Sequence, residues 1–226
     1  MIAANSSTLS SALNSPTLPG ARRSMCAQCL RAQSACICAW VVALQPLVQV
    51  VILQHPLEVR QAKGSARLLH LCLAGSTLDV GEQFDQAQLQ SLLYAPDCHT
   101  VLLYPADAPT PNKLPDKATN ADPASNAQTR QNDMLPQNIR LIVLDGTWRK
   151  SRKMLYCNPL LKQLPRLCLQ GLPPSHYRVR KAHRADQLST LEAVAYALAQ
   201  LEQDEAKYAP LLAAFDGFID QLARHG

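Results

Sequence analysis

The amino-acid sequence predicts an α/β fold in which a mostly parallel sheet carries helices on both faces. Three observations support this class. Short, almost wholly apolar runs recur along the chain, and segments with helical spacing separate them. Strands that are apolar on both sides are typical of parallel sheets buried between helices. The chain has 226 residues, of which 47% are hydrophobic, so it can build one substantial core and a small accessory unit.

Four strands are predicted from the apolar runs. The first two runs end at Pro56 and Pro105, because proline cannot donate a hydrogen bond to a central ladder. The clearest run is IRLIVLD. The predicted strands span residues 47–54, 99–105, 139–145 and 166–170.

Three helices are predicted from apolar spacing. Residues 58–74 have helical spacing with a cationic face. The helix at 189–208 is the best defined, because Ser189 and Glu192 form an S-x-x-E capping box at its start. The last helix, at 210–225, is amphipathic.

Two segments are predicted to lack fixed structure. Residues 1–24 form a Ser-rich tail, and residues 106–138 are rich in Pro, Asn, Ala and Asp with almost no large apolar residues. Such segments bury too little apolar surface to offset chain entropy. We interpret 106–138 as a flexible insertion within the larger domain, since strand and helix patterns resume on both sides. A boundary between two domains is the alternative.

The composition also bounds the environment of the protein. No apolar run reaches about 18 residues, so no membrane span is expected. The start lacks a basic segment followed by an apolar one, so no secretory signal is indicated. These features favour a cytoplasmic protein, although the Ser-rich, acid-free start has a faint likeness to an organelle transit peptide. The formal net charge of +5 favours an anionic partner.

Four of the eight cysteines crowd into one short segment with the spacing C-x2-C-x6-C-x-C. Two close thiol pairs can supply four thiolates to one tetrahedral ion, and such a closed site is structural. We therefore predict a zinc-binding module over residues 25–40, with an iron–sulfur cluster or free thiols as alternatives. Its ligands would be Cys26, Cys29, Cys36 and Cys38. The scattered cysteines are expected to be small core residues: Cys72, Cys98, Cys157 and Cys168.

The stretch LDGTWRKSRKM, residues 144–154, places an acid at the end of the clearest strand. Open parallel sheets bind their ligands beyond the carboxyl ends of their strands, which makes Asp145 a candidate for chemistry. An Asp before a helix is also a good N-cap, so both interpretations stay open. Four cations follow Asp145, and they indicate either phosphate contacts or a solvated helix face.

Asp145-Gly146-Thr147-Trp148 resembles the D-x-T-W signature of the DTW-domain family. The resemblance covers nearly all of residues 25–205. In the same order it includes the cysteine pairs, LQHPLEVR (53–60), LLYP (102–105), YRVRKAH (177–183) and LSTLEA (188–193). The sequence departs from the family pattern at Ala32, where Pro is frequent, and at Ser65, where Thr is usual.

The resemblance implies a SPOUT-like catalytic domain over residues 41–226, with a C-terminal knot that forms a pocket for S-adenosylmethionine. Members of the family are tRNA-uridine aminocarboxypropyltransferases. The implied reaction moves the 3-amino-3-carboxypropyl group of that donor to N3 of a uridine in tRNA and releases 5′-methylthioadenosine. No obligate protein partner is inferred. The alternatives are a SPOUT-type RNA methyltransferase and a non-catalytic, zinc-containing RNA-binding protein.

The resemblance also suggests roles for individual residues. Asp145, Thr147 and Trp148 would be catalytic: Asp145 as general base for the N3 proton, and Trp148 as a stacking platform for the base unless it is a core residue. Residues expected to contact the donor are His55, Tyr104, Pro105, Ser189, Thr190 and Glu192, with turn and cap roles as the alternative for several. Residues expected to contact RNA are Arg149, Lys150, Arg152, Lys153, Arg178, Arg180 and Lys181.

Overall fold

A computed structural model describes four stretches of the chain: residues 24–96, 98–105, 135–169 and 188–225. By its internal contacts the chain divides into two compact units, residues 1–36 and residues 37–226. Most of the predicted tail and most of the predicted insertion lie outside the described residues. Among the described residues, no helix is long and apolar enough to cross a membrane.

Five parallel strands form one sheet in the larger unit, in the order β2-β1-β4-β3-β5. The predicted parallel sheet is therefore confirmed. The strands are β1 (Gln49–Gln54), β2 (Thr77–Val80), β3 (His99–Leu103), β4 (Ile139–Asp145) and β5 (Arg166–Leu167). β2 was not predicted because it lies at the sheet edge, where its side chains are mostly exposed and its sequence, TLDV, carries no apolar run.

Six α-helices accompany the sheet in the described residues. They are α1 (Ala66–Cys72), α2 (Gln86–Leu93), α3 (Trp148–Cys157), α4 (Pro159–Lys162), α5 (Thr190–Glu202) and α6 (Glu205–His225). Short 3-10 turns occur at Gln33–Ala35, Cys38–Trp40, Pro56–Glu58 and Pro136–Asn138.

Helices cover both faces of the sheet, as predicted. Alternate residues of a strand point to opposite faces. On one face, Leu53 of β1 and Ile142 of β4 belong to an apolar cluster that also contains residues of α2, α3 and α4. On the other face, Ile52 and Leu141 are fully buried, and α1 and α5 contact β1 and β4 respectively.

Two predicted helices have different limits in the structure. The helix predicted at 58–74 begins only at Ala66, because the chain first forms the 3-10 turn at Pro56–Glu58 and then further turns that close at Gly64. The helix predicted at 189–208 ends at Glu202, where Gln203 adopts a left-handed conformation with φ of 53°.

The final helix consequently starts earlier than predicted. It begins at Glu205 and accommodates Pro210 within its second turn. Asp204 caps it, since its side-chain oxygen accepts a hydrogen bond from the Lys207 N–H at 3.0 Å. The predicted knot stays a prediction, because residues 170–187, which join β5 to α5, lie outside the described residues.

Candidate active site

The carboxyl ends of β1 and β4 lie side by side at the centre of the sheet. The chain leaves β1 for β2 on one side and leaves β4 for β5 on the other. Gln54 and Asp145, the last residues of the two strands, are register partners. A reversal of this kind opens a crevice beyond the strand ends, where open α/β sheets bind ligands.

Asp145 is 5% exposed and connects three segments of the chain. Its Oδ2 accepts a hydrogen bond from Gln54 Nε2 at 2.8 Å, and its Oδ1 accepts one from Thr190 Oγ1 at 2.7 Å. Its backbone carbonyl accepts the N–H of His55 at 2.9 Å. The carboxylate thus fixes the start of α5 against the ends of β1 and β4.

Thr147, and not Asp145, is the N-cap of α3. The Thr147 hydroxyl accepts a hydrogen bond from the Lys150 N–H at 3.4 Å. Gly146 lies between Asp145 and Thr147, and a Cβ added at Gly146 would come within 3.1 Å of the Lys150 Cβ. The interpretation of Asp145 as a helix cap is therefore wrong, and its carboxylate faces the crevice instead of the helix.

A small cleft opens at Asp145. Its lining comprises Glu58, Lys63, Gly64, Ser65, Asp145, Gly146, Ser189 and Thr190. Of the predicted donor contacts, Ser189 and Thr190 line this cleft. His55, Tyr104, Pro105 and Glu192 do not line it. The sequence predictions omitted Lys63 and Gly64, whose only signal was their place in the KGS turn before α1.

The start of α5 is held by the predicted capping box. Ser189 Oγ accepts the Glu192 N–H at 3.1 Å, and Glu192 Oε2 accepts the Ser189 N–H at 2.8 Å. The Ser65 hydroxyl accepts the Leu191 N–H at 3.4 Å. The cap role of Ser189 and Glu192 is confirmed, and it fixes the backbone that presents Thr190 to Asp145.

His55 is buried next to the strand end in a defined hydrogen-bonding state. Its Nδ1 accepts a hydrogen bond from the Leu57 N–H at 3.1 Å. The ring hydrogen is therefore on Nε2, which donates a hydrogen bond to Glu82 Oε1 at 2.9 Å. Glu82 Oε2 pairs with Lys153 Nζ at 2.8 Å. The Lys153 ion pair, followed by the His55 hydrogen bond, holds the pKa of Glu82 below its ordinary value. Glu82 therefore joins the loop after β2 to α3.

The predicted RNA-contacting cations differ in their surroundings. Lys150 Nζ pairs with Glu58 Oε1 at 2.7 Å, and the Glu58 carboxylate is only 5% exposed. Lys153 pairs with Glu82, whereas Arg149 and Arg152 are exposed on α3. The remaining three predicted cations, Arg178, Arg180 and Lys181, lie outside the described residues.

Trp148 is half exposed, so it is not a core residue. Its ring meets Tyr104 edge-on, with centroids 5.6 Å apart. The Arg166 guanidinium lies 4.8 Å from the Tyr104 ring centroid, and Tyr104 Oη is 3.4 Å from Ser151 Oγ. Tyr104 and the exposed Pro105, at the end of β3, therefore flank the D-x-T-W turn.

The four clustered cysteines bring their sulfur atoms within 4.8 Å of one another: Cys26, Cys29, Cys36 and Cys38. The chain turns tightly at Leu30, whose φ is 59° and whose N–H donates to the Cys26 carbonyl at 2.9 Å. Zinc–sulfur bonds of about 2.3 Å in a tetrahedron separate the sulfurs by about 3.8 Å, and Sγ of Cys29 and Cys36 are 3.7 Å apart. The cluster can hold one metal ion.

The other cysteines match the sequence prediction only in part. Cys72 is 1% exposed and belongs to the core. The remaining three are only partly buried, because each lies near the end of its helix or strand: Cys98, Cys157 and Cys168.

The sequence is similar to characterised proteins over most of its length. The DTW domain family matches residues 23–223. A tRNA-uridine aminocarboxypropyltransferase 2 from Mus musculus is 28% identical over 210 residues, which cover 91% of this chain and 65% of that protein. The protein of the same name from Drosophila melanogaster is 31% identical over 192 residues, covering 81% of this chain and 69% of that protein.

Another relative, the protein of the same name from Macaca fascicularis, is 26% identical, and the match covers 67% of that protein. The chain thus spans about two thirds of the length of these curated relatives. No solved structure shows significant similarity.

Proposed function

Because this chain belongs to the DTW domain family, we propose that it transfers the 3-amino-3-carboxypropyl group of S-adenosylmethionine to N3 of a uridine in tRNA. The products would be the N3-substituted uridine and 5′-methylthioadenosine. The observation that supports this most directly is the convergence of Gln54, Asp145 and Thr190 at the ends of two adjacent strands. The relatives are named for the transfer of an aminocarboxypropyl group to uridine in tRNA, which also supports the proposal.

The chemistry asks little of the protein beyond orientation and proton removal. The donor supplies a sulfonium group, which makes the attached carbon electrophilic. N3 of the uridine forms the new bond to that carbon while the carbon–sulfur bond breaks and its electron pair passes to sulfur. The protein has to hold N3 toward the correct carbon and accept the N3 proton.

We assign proton removal to Asp145. Each of its carboxylate oxygens accepts a hydrogen bond, and because a carboxylate oxygen can accept more than one, direct transfer of the N3 proton to Asp145 is one route. The Thr190 hydroxyl can serve as a relay, because a hydroxyl both donates and accepts: it would receive the N3 proton and pass its own to Asp145. Thr147 would brace the turn, and Trp148 would stack on the uracil ring.

The proposed donor contacts form two groups around this centre. Ser189 and Thr190 line the cleft beside Asp145, and Glu192 fixes their backbone. His55, Tyr104 and Pro105 end the neighbouring strands and would contact the donor from that side. The SPOUT-like knot belongs to the same proposal. The proposed tRNA contacts are Arg149, Lys150, Arg152, Lys153, Arg178, Arg180 and Lys181.

We propose that the four cysteines bind a structural zinc ion. Four thiolates leave no open position for water, so the ion would fix the fold of the N-terminal segment and take no part in the reaction. The close sulfur spacing favours a single ion over a multi-iron cluster, because the ions of a cluster occupy the space between their ligands. Metal analysis of the purified protein should find about one zinc per chain, and an absence of bound metal would reject the site.

One reaction tests the proposed function and its alternatives together. Purified protein is incubated with S-adenosylmethionine and unmodified tRNA, and the nucleosides and donor products are separated by mass spectrometry. Aminocarboxypropyluridine together with 5′-methylthioadenosine supports the proposal. Methylated RNA with S-adenosylhomocysteine identifies a methyltransferase, and tRNA binding without any donor product identifies a binding protein.

The matched variants are Asp145→Asn and Thr190→Val. Asp145→Asn should abolish turnover with the fold retained. Thr190→Val removes the proposed relay, and turnover equal to that of the wild type would reject a relay role for Thr190.

A further inference from the structure

The exposed face of α3 carries a row of aromatic and cationic side chains. Trp148, Arg152 and Tyr156 follow at intervals of four residues, which places them along one side of the helix. Trp148 is 48% exposed and Tyr156 is 76% exposed. The helical rise separates these two aromatic residues by about 12 Å along the axis. We call this surface the α3 ridge; it comprises Trp148, Arg149, Arg152 and Tyr156, with Lys162 of α4.

Tyr156 has no role in the site described above, and it is the more exposed of the two aromatic side chains on the ridge. Aromatic rings are usually buried because they contribute much apolar surface. Lys162 Nζ lies 5.2 Å from the Tyr156 ring centroid, so a cation accompanies the exposed ring. An exposed ring beside a cation is suited to a planar, negatively charged partner.

The charges of α3 separate into two classes. Lys150 and Lys153 are neutralised by carboxylates of the protein itself. Within the part of the chain that the structure describes, no ion pair engages Arg149 or Arg152, and both side chains are exposed. The ridge therefore presents its guanidinium groups to solvent.

We infer that the α3 ridge binds an unpaired segment of RNA, in which Trp148 and Tyr156 each stack on one base. Arg149, Arg152 and Lys162 would contact the phosphates of that segment. Aromatic rings interleaved with cations bind single strands by stacking and by charge. A separation of about 12 Å far exceeds the spacing of about 3.4 Å between stacked bases. The two rings therefore fit bases that have left the stack, as in a loop.

The inference rests on the proposed function for the choice of tRNA as the RNA, but binding can be measured without turnover. Affinity of the full chain for unmodified tRNA transcripts is measured without donor. Tyr156→Ala is expected to weaken binding about 5- to 100-fold, the loss of one base–aromatic stack. Tyr156→Trp keeps a stacking ring and should stay within about twofold of the wild type. The matched control is Tyr94→Ala on the exposed end of α2, which should leave affinity unchanged.

The salt dependence of binding tests the cationic part of the ridge. Arg152→Gln should reduce the slope of log affinity against log salt by about one, because one phosphate contact is lost. Tyr156→Ala should leave that slope unchanged. Tyr156→Ala should bind an unpaired oligouridylate more weakly than the wild type does. Its affinity for an RNA hairpin of the same length that is almost wholly duplex should be unchanged.

Each outcome decides between the surface and the reaction. If Tyr156→Ala has unchanged affinity for tRNA and gives a normal yield of modified uridine, the inference that the α3 ridge binds RNA is overturned and the proposed function stays intact. Weakened affinity of this variant, with no uridine product from the wild type, supports the ridge and rejects the proposed function. Altered self-association of Tyr156→Ala in sedimentation, with RNA affinity unchanged, overturns the ridge as an RNA surface. Failure of the wild type to bind tRNA overturns both.

Discussion

Gln54 donates a hydrogen bond from its side-chain amide to Asp145 across the carboxyl ends of two neighbouring strands, over 2.8 Å. Both side chains are 5% exposed. The position of the Asp145 carboxylate therefore depends on a residue 91 positions away in the chain, and changes on β1 should affect the role that we propose for Asp145.

Replacement of Gln54 by Leu should remove this donor and leave a buried carboxylate with one hydrogen bond fewer. We expect the free energy of unfolding to fall by about 2 kcal/mol, as for lost hydrogen bonds to charged groups. Urea denaturation measures the change. The same replacement at Gln90, which is exposed on α2, should change stability by less than about 0.5 kcal/mol. A similar small effect at Gln54 would contradict the prediction.

Lys150→Met should be destabilising because it leaves the Glu58 carboxylate buried without its cation. A loss of about 2–3 kcal/mol is expected, below the usual cost for a fully buried pair, since the Lys150 side chain is 23% exposed. The double variant Glu58→Gln/Lys150→Met should recover most of the loss. Arg149→Met, on the exposed face of the same helix, serves as the control and should have little effect. Equal losses in the two single cation variants would refute the assignment.

Gly217→Ala should distort the packing of α6, because an added Cβ would overlap the ring of Trp40. Trp40 is also held by a hydrogen bond from its Nε1 to Gln221 Oε1, so the indole cannot move freely away. We expect a loss of about 1–3 kcal/mol, as for other overpacked sites. In a Trp40→Leu background the same replacement should cost little. A cost that persists in that background would show that the ring is not the cause.

Glu82→Gln should alter the acid side of the stability curve. The pKa of Glu82 lies below its ordinary value of 4.5 and that of Lys153 above its ordinary value of 10.5. A carboxyl with a lowered pKa stabilises the fold above its unfolded pKa, and this contribution is lost as the pH falls through the folded pKa. The pKa of Lys153 is shifted in the opposite direction, so the contribution of Lys153 to the stability of the fold is lost only at alkaline pH.

The stability gap between the wild type and Glu82→Gln should therefore be constant from about pH 6 to pH 9 and should narrow below about pH 5. Thermal unfolding at a series of pH values measures it. A gap of the same size at pH 3 and pH 7 would mean that the charge of Glu82 is not responsible.

Features with a local signal were predictable from the sequence. β4 has the predicted limits, because five of its seven residues are apolar and four of these are consecutive. The capping box at Ser189 and Glu192 was also predictable, since both partners lie within four residues of each other. The cap role of Thr147 has a local signal of the same kind, because Thr directly before a helix is a common N-cap.

Features that depend on distant partners were not predictable. Glu82 follows an exposed edge strand that has no apolar run, and its importance arises only when folding brings Lys153 and His55 to it. Lys63 joins the cleft in the same way, through the turn before α1. The sequence therefore indicated candidate site residues but not which neighbours hold them in place.

The hydrogen bonds of Asp145 also constrain the order of folding. Its two carboxylate partners lie 91 residues before it and 45 residues after it. Contacts of such long range form late, because the loops between them must close first. A nascent chain that has completed β4 but not α5 would hold the D-x-T-W turn without the Thr190 bond. The carboxylate therefore gains both of these hydrogen bonds only when the start of α5 has docked against the ends of β1 and β4.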